Sequence, residues 1–432
     1  MKATRPYPKA IVTPKAERAI AAGHPWVYDA EVISLDAAIE QTDANCEPNE
    51  NPYAESMGAT NPAVGNGSIV DVVNRKGTYL GSGTVSQHSK IRIRLITRNA
   101  NDRFDDAFWE RKVRWCWEYR KVVLGDDVSS CRVIFSEGDG FPGLIVDKFE
   151  DVLVAEVLSI GMEVHKPQIF AALLKVMDED GIAIRGIYER NDAATRKLEG
   201  LEQGKGWYGQ KPTNANTSVN ITENGVRYTV DFENGQKTGF FLDQKYNRRA
   251  VGKLARGRRV LDCFTHTGSF ALNAALSGAE HVNAVDISQL AIDQARANAQ
   301  LNGIEDRMSF TCANVFELLT QLEQERCRDY DFIILDPPAF TKNRRNIEAA
   351  ARGYKDINYR AMRILPRGGY LATASCSHFM DTERFKKMLA SAAHDAGVQL
   401  RQIEERQQAP DHPILWGIPE TNYLKFFIFQ VI

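Results

Sequence analysis

From about Gly239 onward the chain alternates short apolar runs with longer amphipathic ones, and this rhythm limits the fold more than any other feature. VLDCF, HVNAVD, DFIILD and YLATASC are strand-length and largely apolar, whereas SQLAIDQARANAQLNG carries the spacing of an amphipathic helix. Strands that are apolar throughout are buried on both sides, so helices must cover both faces of a parallel sheet. Ser288 stands where an N-cap accepts a free backbone N–H, and Gly303 where a left-handed residue ends the helix. The final run, LKFFIFQVI, is strand-like with no helix after it and is expected to be an edge strand.

Ligands of open α/β sheets bind outside the carboxyl ends of the strands, so the residues found there carry the chemistry. In VLDCFTHTGSFAL the strand ends at Asp262 and Phe264, turns through Thr265, Thr267 and Gly268, and enters a helix near Ser269. A glycine in that turn lets backbone N–H groups approach a ligand, but the loop lacks the G-x-G-x-x-G spacing of a dinucleotide site. NAD and FAD are thereby disfavoured. Asp286, 24 positions beyond Asp262, ends the next strand, where a carboxylate accepts from ribose hydroxyls; helix capping near Ser288 is the competing role. Asn314 lies one strand later, suited either to an adenine edge or to a plain surface turn.

DFIILDPPAF is the sharpest local signal. A buried strand is stopped at Asp336 by Pro337 and Pro338, whose fixed φ angles and missing donors stiffen a place where a flat base could lie against Phe340. YLATASCSHF repeats the geometry and delivers Cys376 to the same sheet edge. A cysteine is usually a small buried hydrophobe; at a strand end beside a base pocket it becomes a candidate nucleophile, with His378 the nearest group to activate it. Two basic clusters flank these motifs: QKYNRRAVGKLARGRR has no acidic residue, and Lys342, Arg344 and Arg345 follow Asp336 directly. Such groups attract phosphates, although the first cluster could equally be a solvated helix face.

The front half reads differently. SIVDVVN, YLGSGTVS and KIRIRLIT suggest a small β-rich domain over residues 1–100, carrying a polar, acidic, turn-rich insertion near 34–67. A central α+β module is expected over 104–215, opening with a helix, FDDAFWERKVRWCWEYRKVVLG, whose mixed aromatic and basic side chains suit stacking on single-stranded nucleic acid, with aromatics in a core and basic residues toward water as the stronger reading. A net charge of −2 gives no global mark of a nucleic-acid binder, so any such partner rests on local patches. Seven scattered cysteines without a C-x-x-C pair argue against zinc and fit a reducing compartment, and no apolar stretch is long enough to cross a membrane. The chain is read as cytoplasmic, with no metal.

At these residues the sequence resembles the large-subunit ribosomal RNA cytosine-C5 methyltransferases that carry an N-terminal PUA-like domain. AERAIAAGHPWVYDAEV is similar to the start of that domain, SEGDGFPGLIVDKF and IYERNDAATRKLEGLE to the central module, QKTGFFLDQKYNRR to a cofactor-closing segment, and DHPILWGIPETNYLK to a C-terminal signature. The implied fold is α/β: a Rossmann-like class I methyltransferase domain over 216–432 behind the PUA-like and α+β parts. The resemblance further implies S-adenosylmethionine as cofactor, held by Gln236, Lys237, Thr238, Gly239, Phe241, Asp243, Gln244, Asp262, Phe264, Thr267, Gly268, Asp286, Asn314 and Asp336. Asn314 departs from the Asp that class I enzymes commonly have there. Cys376 would attack C6 of the base while Asp336 holds its N3 and amino edge, with Pro337, Pro338, Phe340, Lys342, Arg344, Arg345 and His378 toward RNA. Ribosomal RNA is the implied partner, no membrane is, and a homodimer is left open. Two rivals stand beside this reading: an RNA base-nitrogen methyltransferase, which would need no thiol, and a non-catalytic RNA-binding ribosome-assembly factor.

Overall fold

The computed structural model describes residues 5–36, 64–341 and 346–432, and the chain divides into two compact units. Most of the polar insertion, together with Lys342, Arg344 and Arg345, lies outside the described residues. The first unit comprises Met1–Val219, Val230–Phe240 and Pro410–Thr421; the second comprises Asn220–Thr229, Phe241–Ala409 and Asn422–Ile432.

The first unit holds two sheets. Strands β1 (Lys9–Val12), β2 (Trp26–Tyr28), β3 (Val32–Asp36), β4 (Ile69–Val73), β5 (Tyr79–Val85) and β6 (Ile91–Thr97) form one, in the order β2-β6-β5-β4-β1-β3, with helix α1 (Pro14–Ala21) between β1 and β2. Ala10, Val12, Ile20, Val27, Val70, Val72, Val85 and Ile93 make its core. Helix α2 (Asp106–Leu124) leads into the second sheet, β7 (Ser130–Phe135), β8 (Leu144–Phe149), β9 (Val152–Val157), β10 (Gly186–Asn191) and β11 (Gly204–Trp207), with α3 (Ile160–Glu179) crossing from β9 to β10. In α2 the expected division holds for Phe108, Val113 and Trp117, which are buried, but Trp115 is 63% exposed beneath the Arg111 guanidinium. Arg120, expected at the solvent face, is instead fully buried, because Asp139 clasps it with two bonds of 2.7 and 2.6 Å and the carbonyls of Arg132 and Asp411 accept its remaining protons. A buried guanidinium is tolerated only when its charge and its donors are both answered in this way.

A ribbon of β12 (Ser218–Glu223) and β13 (Val226–Asp231) precedes the second unit's helix α4 (Lys245–Ala255). The large sheet there contains β14 (Arg259–Cys263), β15 (His281–Asp286), β16 (Met308–Cys312), β17 (Phe332–Leu335), β18 (Tyr370–Ser375), β19 (Leu400–Arg406) and β20 (Lys425–Val431) in the order β16-β15-β14-β17-β18-β20-β19. Helices α5 (Ser269–Leu276), α6 (Gln289–Asn302), α7 (Val315–Gln324), α8 (Ile347–Ile364) and α9 (Thr382–Ala396) connect its strands. The strands from β14 to β18 pair in parallel, and β20 runs antiparallel to β18. Order reverses between β14 and β17, the switch point where crevices open in such sheets. Ser288 accepts from Ala291 N–H as the α6 N-cap, and Gly303 closes that helix with φ 67°.

The last strand is a correction. β20 is interior, between β18 and β19, and six of its seven residues are buried. Its apolar side chains on both faces demand cover that an edge cannot give; the polar β19, LRQIEER, takes the edge instead. Among the described residues no helix is long and apolar enough to cross a membrane, and no group of three or more His, Cys, Asp or Glu could hold a metal.

Candidate active site

The carboxyl ends of β14, β17 and β18 bring Asp262, Asp336 and Cys376 to one edge of the second unit's sheet. Leu335 pairs with Thr373 across β17 and β18, and Asp336, one residue on, and Cys376, three residues on, leave these parallel strands at the same end of the sheet. Behind them Ile333, Leu335, Leu371, Tyr354, Phe385 and Phe427 form a continuous core that fixes both strand ends.

Asp336 keeps partial exposure while its carboxyl lies deep in the site. Gln244 donates to its Oδ1 at 3.0 Å. Burial first, and then the Asp243 carboxylate, weaken its acidity and push its pKa up to about 7. Asp243 is held from elsewhere: Tyr423 donates its hydroxyl to Oδ2 at 2.6 Å, and its Oδ1 is buried with no partner. Pro337 is buried and Pro338 exposed. Phe340 is more embedded than a free stacking platform, with its ring 4.5 Å from that of Tyr354 and 5.7 Å from that of Phe316.

The turn after β14 is built tightly. Asp262 accepts from the Thr265 hydroxyl at 2.5 Å and from Ala271 N–H at 2.9 Å, both through Oδ2, while its Oδ1 is buried and unpartnered. Burial pushes Asp262 up to about 7. Gly268 has φ 84°, and a Cβ there would stand 3.0 Å from that of Ala295, so this position has neither the conformation nor the space for a side chain. Phe264 and His266 also take positive φ. His266 N–H donates to Asp286 Oδ2 at 2.9 Å, and Ser288 N–H to its Oδ1 at 2.9 Å, so Asp286 orders this turn and the start of α6 together. Thr267 Oγ1 is buried without a partner. Asn314 caps α7, accepting from Phe316 N–H and donating to Glu317, which is the turn role rather than a free edge.

Gln236, Lys237, Thr238 and Gly239 belong to the first unit. Gln236 and Lys237 are exposed there, whereas Thr238 is fully buried with its hydroxyl donating to Asp147 at 2.5 Å. Phe241, in the second unit, meets the His266 ring edge-on at 5.2 Å.

Cys376 is partly exposed, and its thiol is pushed up to about 12, by burial first and then by Asp336 and Asp243. His378 is exposed, with its ring against Phe379. A positive group that acts on the thiol is Lys425, which sequence reasoning passed over inside DHPILWGIPETNYLK; only the antiparallel register of β18 with β20 brings it opposite Ser375. Another missed feature is Ile287, 72% exposed directly after Asp286, an apolar surface beside the cofactor turn. The basic stretch also divides: Arg248 is buried against Glu223 at 2.6 and 2.8 Å, while Arg249, Lys253 and Arg256 line a cavity of about 400 Å³ with Asn224 and Asn273.

A family model for the S-adenosylmethionine-dependent methyltransferases matches residues 202–420, and one for the PUA-like domain matches residues 10–98. Ribosomal RNA large subunit methyltransferase I of Klebsiella pneumoniae (strain 342) is 35% identical over 429 residues, covering 99% of each chain. The protein of the same name from Alteromonas mediterranea is 36% identical and covers 98% of each; that from Pseudoalteromonas translucida is 40% identical over 85% of this chain and 91% of its own. A Streptococcus mutans protein assigned provisionally as a SAM-dependent methyltransferase shares the fold, with a TM-score of 0.76 at 20% identity over 98% of this chain and 99% of its own. The β14 edge suits the cofactor: the unpartnered oxygens of Asp262, Thr267 and Asp243 offer buried acceptors to a cationic, hydroxyl-rich molecule. The chain belongs to the S-adenosylmethionine-dependent methyltransferases that carry a PUA-like domain, in the family of ribosomal RNA large subunit methyltransferase I.

Proposed function

We propose that this enzyme methylates C5 of a cytosine in large-subunit ribosomal RNA, with Cys376 as nucleophile and Asp336 as the group that grips the base. The observation that carries the reading is the emergence of Cys376 and Asp336 from paired parallel strands at one sheet edge, close enough for the Asp336 carboxylate to act on the ionisation of the thiol. A base-nitrogen methyltransferase has no use for a thiol in that position.

C5 of cytosine is a poor nucleophile. Attack by the Cys376 thiolate forms a sulfur–C6 bond and moves the C5=C6 electron pair onto C5, splitting one difficult step into easier ones. S-adenosylmethionine, when bound, supplies the methyl group as an electrophile for C5, and we assign Asp243, Asp262, Thr267, Gly268 and Asp286 to holding it in the second unit. Loss of the C5 proton then re-forms the double bond as the thiolate departs. Asp336, with its acidity near neutral, can stand protonated, donating to N3 and accepting from the exocyclic amino group. Uracil presents the opposite pattern at that edge, so the same carboxyl discriminates against it. Protonation at N3 also draws electrons from C6 and favours thiolate attack.

A stacked base cannot reach a sheet edge, so the target must be unpaired or flipped out. We assign the grip on surrounding RNA to the first unit's PUA-like domain and place the activity in the cytoplasm. RNA carrying 5-fluorocytosine at the target tests the reading, because fluorine cannot leave as the proton does. The expected result is a stable protein–RNA adduct mapped to Cys376; modification without any adduct would favour the nitrogen chemistry.

A further inference from the structure

Lys425 is a lysine of an uncommon kind. It is 4% exposed, and its Nζ donates to the carbonyls of Ser377 and Tyr423, each at 2.7 Å. Among the described residues no carboxylate lies within salt-bridge distance of it. An ammonium has three protons, and two neutral carbonyls leave both a donor and a full positive charge unanswered. Burying such a charge is costly, and a well-packed apolar side chain on β20 would serve the fold better. The residue directly before Ser377 is Cys376, and Cys376 is the foremost acidic group in the electrostatic surroundings of Lys425, ahead of Asp381 at the start of α9.

The surroundings of the thiol are otherwise hostile to its ionised form. Asp336 at the end of β17 and Asp243 ahead of α4 both oppose a negative sulfur, as does burial. Tyr354 on α8 also feels Cys376, but burial makes its hydroxyl a weaker acid than usual and it carries no positive charge. Among the described residues Lys425 is the side chain that favours the thiolate, beside a backbone hydrogen bond at Cys376 itself. Reciprocally, burial depresses Lys425 to about 8 while the neighbouring thiolate supports its charge.

We propose that Lys425 is the positioning residue that favours the thiolate of Cys376 over what burial and the neighbouring carboxylates alone would allow, its ammonium supplying from β20 the counter-charge expected of His378. The inference rests on Cys376 being the nucleophile. A purely mechanical alternative is that Lys425 only ties the carbonyl ends of β18 and β20 together, and the two differ in what the charge does.

Only the thiolate is alkylated, so labelling of Cys376 by iodoacetamide in the full chain, followed by peptide mass spectrometry across pH, reads its ionisation directly. Lys425→Gln removes the charge but keeps amide protons for the two carbonyls; Lys425→Met removes both; Lys425→Arg restores charge. Loss of the ammonium is expected to raise the labelling midpoint by about one pH unit or more in the Gln and Met chains, roughly tenfold slower labelling at pH 8. The Arg chain should return toward wild type, and labelling of exposed Cys312 should not move. Should the Met chain fail to fold, the Gln chain decides by itself, with circular dichroism verifying its fold. A Gln profile superimposed on wild type would overturn the inference and leave Lys425 a clamp. Failure of the nucleophile assignment looks different: Cys376 would label normally yet never become trapped on 5-fluorocytosine RNA.

Discussion

The side-chain amide of Gln244 donates to Asp336 while its own oxygen accepts from Asn247 Nδ2 at 2.6 Å, so one oxygen of this carboxyl is fixed by a relay from α4. Asp336→Asn preserves a donor and an acceptor but cannot deliver a proton to N3. We expect RNA affinity within a few-fold of wild type and a fall in kcat of about 100- to 1,000-fold, measured by single-turnover methyl transfer. Equal losses in binding and turnover would point to a merely structural carboxyl.

Cys376→Ala is expected to lower methyl transfer to deproteinised ribosomal RNA by more than about 1,000-fold, because no other group can make the C6 bond. Calorimetry should show S-adenosylmethionine still binding, since Asp262, Thr267 and Gly268 belong to the separate β14 turn. Retained 5-methylcytosine would end the covalent mechanism.

Burial raises Asp262 from its ordinary 3.8 to about 7, so the folded chain holds this proton more tightly than the unfolded one. Its contribution to stability is therefore full below pH 4 and is lost as pH rises through 7, a change of up to about 4 kcal/mol. Asp262→Asn removes that dependence. Urea unfolding at pH 5 and pH 8 should find the variant gaining on wild type at the higher pH, while cofactor affinity drops; parallel pH profiles for the two chains would refute the assignment.

Arg248 illustrates why a run of basic residues is not automatically an RNA surface. It is buried on Glu223 and also donates to the Phe241 carbonyl at 2.8 Å. Arg248→Ala leaves a buried carboxylate alone and should cost about 3–5 kcal/mol in urea unfolding.

Lys253 and Arg256 are exposed at the cavity that Arg249 also lines. If they meet phosphates, replacing either by Gln should reduce the salt dependence of RNA binding by about one counterion, with little effect on melting temperature. Filter binding from 50 to 300 mM salt would check this, and an unchanged slope would remove the cavity from the RNA path.

What the chain could announce by itself was whatever depends on local pattern. Apolar strands with amphipathic helices between them dictated a covered parallel sheet, and the caps Ser288 and Gly303 followed from backbone chemistry. That Asp262, Asp336 and Cys376 share one edge was legible because the ends of neighbouring parallel strands lie at the same side of the sheet. Neighbourhood across the sheet was not legible. That LKFFIFQVI runs antiparallel in the interior, bringing Lys425 to the strand of Cys376, depends on which strands pair, a choice made by burial of both faces over a long sequence separation. Partner choice likewise decided that Arg120 and Arg248 are buried in ion pairs while Lys253 and Arg256 face solvent, since local sequence makes all four equally basic. Local sequence fixes which groups a strand end offers; only the packed sheet decides the charges they meet, because electrostatic energy depends on distance and burial rather than on order along the chain.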